Sequence, residues 1–160
     1  GSLLDLRHRI TYEAQAAIDL EALAAAHLGP TPRLCFGLGS NGSFDAAPVL
    51  AAMVEGIRAG IDRSALAAGF HEAVVEAMLW AARRIRRDRS LEVVGLTGGV
   101  FQNAVLTSRA TRRLTEEGFE VLSHRLVPPN DGGLALGQAV IAGCASKRSQ
   151  PSNRGVATCV

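Results

Sequence analysis

Two glycine-rich segments contain the residue types in this sequence that are best suited to contact a phosphate or a metal ion. The first, residues 97–103 (TGGVFQN), follows a short apolar run and precedes an amphipathic stretch, which predicts a strand-loop-helix unit. Paired glycines allow a backbone to approach a ligand closely, and the N-terminus of the following helix would offer N–H groups to phosphate. Asn103, expected one turn into that helix, is placed to hydrogen-bond a ligand over the loop. A tight strand-to-helix connection explains the same residues equally well.

The second segment, residues 128–133 (PPNDGG), also lies between a predicted strand and a predicted helix. Asp131 would stand at the carboxyl end of its strand, where open α/β sheets place ligands. A carboxylate beside two glycines can hold a hard cation that bridges phosphate oxygens. When the segment is taken alone, the alternative that Asp131 caps the last helix is favoured. The two loops follow neighbouring strands and should open on the same side of the sheet, which favours binding.

The other ionisable residues give weaker signals of chemistry. On its pattern alone, Glu13 is an ordinary solvated carboxylate of a helix. His124 lies beside the second segment and could line the site, whereas the remaining histidines lack the spacing of metal ligands: His8, His27 and His71. No Ser/His/Asp or Cys/His grouping predicts covalent catalysis. The residues of this chain therefore leave the catalytic side chains unknown.

An alternation of strands and helices must position these segments. Residues 91–96 (LEVVGL) are typical of a buried strand, a helix with Leu106, Ala110 and Leu114 on one face follows, and residues 119–123 form a second strand. This order predicts an α/β domain with a parallel strand pair and a right-handed crossover. Further predicted elements are helices at 11–28, 46–59, 62–87 (with Asp62 as N-cap) and 133–145, a strand at 33–38 and a hairpin turn at 39–43.

Composition limits the class of protein. The 160 residues are 48% hydrophobic and 20% charged, which is typical of one globular domain, and a net charge of +2 is too small to indicate nucleic-acid binding. Three cysteines without a C-x-x-C pair predict neither a disulfide framework nor a zinc site, and they favour the cytoplasm. No apolar run predicts a membrane span. The arginines between 83 and 89 predict a solvated helix surface or, as the alternative, a phosphate- or partner-binding patch.

The two ends of the chain differ in character from the rest. The polar tail at 146–160 predicts disorder, and we expect no role for its Cys159 as an acceptor thiol. The opening Gly1-Ser2 is typical of the remnant of a cleaved tag. We therefore expect the chain to be a piece of a larger protein.

Three sequence segments together resemble the C-terminal end of the HypF carbamoyltransferases. They read TYEAQAAIDLEALA, LTGGVFQNAVL and SHRLVPPNDGGLALGQAVIAG, and the resemblance covers residues 8–145. It implies the second half of an actin- and Hsp70-like ATPase fold (ASKHA, RNase H-like), helix-rich with a small, mostly parallel sheet. Residues 1–145 would be the C-terminal lobe of the TsaD-like carbamoyltransferase domain. The family's Tyr-Glu-Gly-Gln reads Tyr-Glu-Ala-Gln here, a change expected only to stiffen the first helix.

The resemblance also implies roles for individual residues. It assigns Asp131 to a divalent metal, Mg or Fe, whose remaining ligands are expected outside this chain, because the family's H-x-x-x-H pair is absent. It assigns Glu13 to the ribose of the nucleotide. The full set that it assigns to nucleotide binding is Gly98, Gly99, Val100, Asn103, Glu13 and Gly132.

The activity implied by the resemblance is carbamoyl transfer. HypF proteins convert carbamoyl phosphate and ATP into carbamoyl adenylate and carbamoylate the C-terminal cysteine of a HypE-type acceptor protein, for the cyanide ligand of [NiFe]-hydrogenase. The parent of this chain would be an enzyme of that kind, and the piece alone would be inactive without the remaining HypF domains. Two alternatives stay open: an O-carbamoyl or tRNA threonylcarbamoyl transferase, or a non-catalytic nucleotide-binding module.

Overall fold

The computed structural model describes the chain at residues 1–39 and 42–148. This part contains five α-helices and four short strands: α1 (Gln15–Ala25), β1 (Gly37–Leu38), β2 (Phe44–Asp45), α2 (Ala47–Arg58), α3 (Arg63–Arg89), β3 (Val93–Leu96), α4 (Ala104–Glu116), β4 (Glu120–Ser123) and α5 (Leu134–Arg148). Single turns of 3-10 helix occur at Ser2–Leu4, Gly99–Gln102 and Asp131–Gly133. The chain is therefore helix-rich with little sheet, as predicted. Of the tail predicted to be disordered, residues 146–148 continue α5 and residues 149–160 lie outside the described part.

The long helix α3 is the central element, because it packs against α1, α2 and α4. Its first half closes one apolar core with α1 and α2, and this core contains Leu4, Ala24, Leu34, Val49, Met53, Leu66, Ala67, Ala68 and Ala73. Its second half closes another core with α4 and the β3–β4 pair, made of Val75, Leu79, Ala82, Leu96, Leu106, Ala110, Leu114 and Phe119. The predicted apolar face of α4 is thus confirmed.

The ends of α3 are fixed by polar contacts that follow from its sequence. Asp62 caps the helix as predicted, because its Oδ1 accepts from the backbone N–H groups of Ser64 (2.8 Å) and Ala65 (3.2 Å). The hydrogen bond from the Ser64 hydroxyl and these backbone donors lower the pKa of the Asp62 carboxyl. Near the other end, Trp80 meets a second packing surface, also as expected, through an edge-to-face contact with Phe44 at 5.5 Å between ring centroids.

The arginines at the end of α3 are used inside the fold. Arg83 forms a forked ion pair with Glu117 at the end of α4, and this hydrogen bonding lowers the pKa of the Glu117 carboxyl. Arg86 donates to the Glu117 carbonyl (2.8 Å) and its guanidinium lies 4.0 Å from the centre of the Phe119 ring. These contacts join α3 to α4, so Arg83 and Arg86 do not belong to a free surface of basic side chains.

The two strand pairs differ in direction. β1 and β2 pair antiparallel, which confirms the predicted hairpin, although residues 40–41 of its turn lie outside the described part. β3 and β4 are parallel, with Val93 opposite Glu120 and Leu96 opposite Ser123, which confirms the predicted parallel pair. The prediction that the strand at 91–96 is buried is wrong for most of its length: Val93 is 53% exposed, and of the four β3 residues Leu96 alone is buried. The reason is that the α3–α4 layer covers one face of a two-stranded sheet and leaves its other face open.

The first helix begins four residues later than predicted. Ala14 lies before the helix with φ 62°, in the left-handed region that favours glycine. The side chain of Gln15 turns back and accepts from the Thr11 N–H (2.9 Å), so the chain enters α1 through a turn. The alanine that was expected to stiffen the helix therefore lies outside it, in a conformation that costs an alanine about 1–2 kcal/mol.

Two helices, α3 and α5, are unusually apolar in composition. By length and composition α3 could cross a membrane, yet 56% of its most apolar stretch is buried within the structure, which is typical of a core helix. By contrast α5 is uncharged from Leu134 to Ser146 and packs mainly against the turn that precedes it, and Leu136 and Ile141 are among its exposed residues. A helix that is apolar on all sides is normally buried.

Candidate functional site

The first glycine loop leaves β3 and enters α4 through a single 3-10 turn. Gly98 has φ 103° and ψ 158°, a backbone conformation open to glycine alone, and the turn Gly99–Gln102 follows. Asn103 is the N-cap of α4, and its Oδ1 accepts from the N–H of Leu106 (2.8 Å). The expectation that Asn103 lies one turn into the helix is therefore wrong, because the 3-10 turn takes the place of the first helical turn.

The second glycine loop is capped by Asn130 rather than by Asp131. The Asn130 Oδ1 accepts from the N–H of Gly132 (3.1 Å), and its carbonyl accepts from the N–H of Gly133 (3.0 Å). A capping role for Asp131 is thus not seen. Asp131 is exposed and its carboxylate makes no hydrogen bond or ion pair with the described residues. Its side chain is left available to a ligand.

The two loops meet at the carboxyl end of the parallel pair. The N–H of Gly98 donates to the carbonyl of Pro129 (2.8 Å), and a Cβ added at Gly99 would lie 3.9 Å from the Cβ of Asn130. At Gly133 an added Cβ would lie 2.8 Å from the Pro128 carbonyl, too close for any other residue without a shift of the backbone. The prediction that both loops open on the same side is confirmed, and close packing explains the glycine at position 133.

The N-terminus of α4 is already occupied by a carboxylate from α1. The Oε1 of Glu21 accepts from the N–H of Ala104 (2.6 Å) and, at longer range, from that of Val105 (3.4 Å). With Asn103 capping Leu106, the first N–H groups of α4 all have partners. The idea that this helix end offers free donors to phosphate is therefore wrong. The N–H groups of Gly99 and Val100, within the loop itself, have no partner among the described residues.

The side chain of Asn103 is held at both ends. While its Oδ1 caps α4, its Nδ2 lies 3.0 Å from the Nε2 of His71, which is buried in α3. Asn103 thus supports the loop from beneath and has little freedom to turn toward a ligand. Glu21 and His71 were missed as site residues, because each lies far from the loop in sequence. Glu21 lies in the TYEAQAAIDLEALA segment, but neither residue has a spacing that indicates a link to residues 97–103.

A small cleft adjoins the first loop. Its volume is about 190 Å³, and Nε2 of His124 lies 3.0 Å from Oγ1 of Thr97 at its edge. The lining residues are Gly95, Leu96, Thr97, Leu122, Ser123 and His124. The suggestion that His124 could line the site agrees with this position. Glu13, in contrast, is exposed in the turn before α1 and makes no hydrogen bond or ion pair with either loop in the part described.

A larger apolar groove runs between α3 and the open edge of β3. It has a volume of about 440 Å³. We name it the β3 groove, and it is lined by Met78, Ala81, Ala82, Ile85, Leu91, Val93, Val94, Gly95, Leu96, Phe101, Leu114 and Phe119. Its lining carries no charged or hydrogen-bonding side chain, so it suits an apolar surface better than a nucleotide.

No complete metal centre forms among the described residues. No three His, Cys, Asp or Glu side chains come together there in a way that could hold an ion. Asp131 could supply one carboxylate oxygen, which suits a hard divalent cation, but further ligands would have to come from elsewhere.

Comparison with known proteins identifies the class of protein to which this chain is similar. Residues 1–138 match the family described as "Carbamoyltransferase, Kae1-like Domain, second subdomain". The carbamoyltransferase HypF of Rhodobacter capsulatus is 42% identical over 135 residues, which are 84% of this chain and 17% of that protein. A HypF homologue of Cupriavidus necator is 38% identical over 137 residues, covering 81% of this chain and 34% of that protein.

Solved structures agree with the sequence comparison. A crystal structure of full-length HypF in the phosphate- and nucleotide-bound form aligns with a TM-score of 0.81 and 35% identity, over 91% of this chain and 19% of that one. The HypF of T. kodakarensis, at 23% identity and a TM-score of 0.77, shares the fold. The chain belongs to the HypF carbamoyltransferase family, and it spans less than a fifth of the R. capsulatus protein and of the full-length HypF structure.

Proposed function

We propose that this chain is the C-terminal lobe of a carbamoyltransferase, half of an actin- and Hsp70-like ATPase fold, and that it supplies one wall of an ATP and metal site. The observation that carries the proposal is the hydrogen bond between Gly98 and Pro129, which holds the two glycine loops together at the carboxyl end of the parallel pair. The similar HypF structure was crystallised with phosphate and nucleotide, which supports a nucleotide as the ligand.

Each of the proposed binding residues has a role that follows from its chemistry. The N–H groups of Gly99 and Val100 are the donors that would face phosphate oxygens, with Gly98 shaping the loop. Gly132 gives the second loop its close turn beside the nucleotide. Asn103 serves the nucleotide by fixing the loop, since its amide is already bonded at both ends. Glu13 would reach the ribose from the turn before α1.

Asp131 is proposed as one ligand of a divalent metal, Mg²⁺ or Fe²⁺. Its carboxylate has no partner among the described residues, so binding an ion would break no existing contact. The remaining ligands, including two histidines of the first half, would come from the rest of the parent protein. A bound cation would neutralise phosphate charge and polarise the carbamoyl carbonyl.

The parent reaction is proposed to be that of the HypF family. Carbamoyl phosphate and ATP would give carbamoyl adenylate, and the carbamoyl group would pass to the C-terminal cysteine thiol of a HypE-type acceptor during hydrogenase maturation. This lobe would contribute backbone donors and one carboxylate rather than a nucleophile, which agrees with the absence of a Ser/His/Asp or Cys/His grouping in its sequence. We place the protein in the cytoplasm, away from membranes and nucleic acid.

The remaining HypF domains are proposed as the partners of this lobe. The β3 groove, the free edge of β3 and the uncharged helix α5 are apolar surfaces that a water-soluble protein normally covers. Alone, the lobe would bind ATP weakly and would not transfer carbamoyl groups. An O-carbamoyl or tRNA threonylcarbamoyl transferase remains a second candidate for the parent, and a non-catalytic nucleotide-binding module remains a third because both loops can bind without catalytic side chains.

Calorimetry with the 160-residue chain tests this proposal. ATP is titrated with and without Mg²⁺ into wild type, Asp131→Ala and Asp88→Ala, the last being a control for loss of an exposed carboxylate on α3. We expect Mg²⁺ to lower the Kd for ATP in wild type and in Asp88→Ala. In Asp131→Ala, the Kd for ATP with Mg²⁺ should be about tenfold higher than in wild type. An unchanged Mg²⁺ effect in Asp131→Ala would contradict the metal role. Sustained carbamoyl transfer by the isolated chain would refute the need for the missing half.

A further inference from the structure

We propose that His71 is a positioning residue that holds the first glycine loop in its binding conformation through Asn103. The inference rests on the proposed function, since the loop in question is the one assigned to the nucleotide. His71 lies in α3, 32 residues before Asn103, and is 4% exposed. Among the described residues it makes no hydrogen bond to either glycine of the loop, and its bond to Asn103 is the link between them.

The hydrogen bonds of His71 define which ring nitrogen carries the proton. Nδ1 lies 2.8 Å from the carbonyl oxygen of Ala67, one turn earlier in α3. A carbonyl can only accept, so Nδ1 must donate, and Nε2 of the neutral ring is then an acceptor. The imidazole is thereby anchored to the backbone of the central helix.

The orientation of Asn103 is defined in the same way. Its Oδ1 accepts from the N–H of Leu106 at 2.8 Å, which leaves Nδ2 as the group that faces Nε2 of His71 at 3.0 Å. An amide NH₂ donates, which matches the acceptor that the Ala67 contact creates on the ring. The four groups therefore form one chain of hydrogen bonds in which every donor meets an acceptor.

This chain of hydrogen bonds ends directly at the loop. The N–H of Asn103 donates to the carbonyl of Val100 (3.2 Å), so the asparagine closes the 3-10 turn that contains Gly99 and Val100. A pair of glycines has wide backbone freedom, and ordering such a segment only at the moment of binding reduces affinity. Fixing Asn103 to α3 orders the loop beforehand, so that its N–H groups meet a phosphate already aligned.

Packing alone does not require an imidazole at this position. The second half of α3 fills similar interior positions with Val75 and Leu79, both fully buried. A buried polar ring is tolerated because both of its nitrogens have partners, and such a fully bonded network specifies one arrangement of its members. The acceptor on Nε2 is what an apolar side chain would remove.

A set of four variants of the 160-residue chain tests the proposal: His71→Leu, His71→Gln, Asn103→Ala and the double variant His71→Leu with Asn103→Ala. The Kd for ATP with Mg²⁺ is measured by calorimetry, and the Tm of each variant is measured alongside. Glutamine can donate to Ala67 and accept from Asn103, whereas leucine can do neither. We expect His71→Leu to weaken binding about fivefold to tenfold, as loss of one ordering hydrogen bond would. We expect His71→Gln to keep the Kd close to that of wild type. In the Asn103→Ala background, we expect His71→Leu to cause no further rise in the Kd.

Three outcomes would overturn the proposal. They are an unchanged Kd in His71→Leu, equal weakening by leucine and glutamine, and an undiminished effect of His71→Leu when Asn103 is already alanine. If His71→Leu does not fold, ¹⁵N NMR of wild type decides: a ring protonated on Nδ1 with a bonded Nε2 supports the proposal, and a proton on Nε2 contradicts it. If wild type does not bind ATP at all, the proposed function fails, and the same NMR measurement still tests the link from His71 to Asn103.

Discussion

The two glycine loops perform similar geometric tasks but are supported very differently. The first is held from α3 by His71, from α1 by Glu21 and from beneath by the core that contains Leu106. The second has its own Asn130 turn and one backbone bond from Gly98, and the helix that follows it lies exposed.

The difference indicates which part of the site this chain forms by itself. Three helices converge on the first loop, so its shape is determined within the chain. In the described part of the chain the Asp131 carboxylate has no hydrogen-bond or ion-pair partner, and Leu136 and Ile141 of α5 are exposed. Exposed apolar groups of this kind are typical of a surface that another domain covers. Under the proposed function, the N–H groups assigned to phosphate would be preformed within this chain, whereas the site around Asp131 would be completed by other domains of a longer parent.

The largest effect that tests this comparison comes from leucines at matched positions. Leu106 and Leu136 are each the third residue of the helix that follows a glycine loop, but Leu106 is 3% exposed and Leu136 is 54% exposed. We expect Leu106→Ala to reduce the free energy of unfolding by about 2–5 kcal/mol, because it leaves a cavity in the core. Leu136→Ala should change it by about 0.5 kcal/mol or less. Urea denaturation of both variants measures the difference.

Equal losses in the two variants would mean that α5 is packed in solution as firmly as α4. The contrast between a supported and an unsupported loop would then disappear. If instead Leu136→Ala is silent in the isolated chain and strongly destabilising in the full-length parent, the comparison is sharpened, because α5 would then be shown to gain its cover from the missing part.

An intermediate effect is expected from the carboxylate that supports the first loop. Glu21→Ala removes the acceptor for Ala104 and Val105 at the start of α4, where a negative charge also suits the helix dipole. We expect a loss of about 1 kcal/mol, comparable to loss of an N-cap, although alanine is the better helix former within α1. Denaturation gives the loss, and hydrogen exchange at Ala104 and Val105 shows where it occurs.

The matched control is Glu55→Ala on α2, an exposed glutamate without a side-chain hydrogen bond or ion pair in the described structure. It should leave stability within about 0.5 kcal/mol. If Glu21→Ala proves as neutral as the control, α1 does not support the first loop. Within the described residues, His71 would then supply the only side-chain hydrogen bond between residues 97–103 and a helix distant in sequence.

Much of the fold could be predicted because it depends on local patterns. The helices predicted at 46–59 and 62–87 are found at Ala47–Arg58 and Arg63–Arg89, since apolar periodicity and a capping Asp62 define them without reference to distant residues. The strand at 91–96 was expected to be buried because its composition is apolar. In the described part of the chain only one face of β3 is covered, and no local pattern reports how many layers pack on a strand.

For the site, too, the features set by local sequence and topology could be predicted, and those set by distant residues could not. Topology alone brought the two loops together, because the carboxyl ends of parallel strands share one edge. The supports could not be predicted: Glu21 lies 83 residues from the N–H group that it accepts from, and His71 resembles any histidine on a helix. For the same reason the capping role fell to Asn130 rather than Asp131, since either residue is a good cap and only the turn geometry separates them.

The smallest expected effect is a gain, and it tests the helix that carries Glu21. Ala14 has φ 62° before α1, in the left-handed region that favours glycine. Ala14→Gly should remove a strain of about 1–2 kcal/mol, offset in part by the greater freedom of glycine in the unfolded chain, for a net gain of about 0.5 kcal/mol. Ala17→Gly, at an exposed position inside α1, should instead lose about 1 kcal/mol. Thermal denaturation of both variants measures these opposite signs. A loss of stability in Ala14→Gly would mean that Ala14 has an ordinary helical conformation. The helix α1, which carries Glu21 to the first loop, would then begin before Gln15.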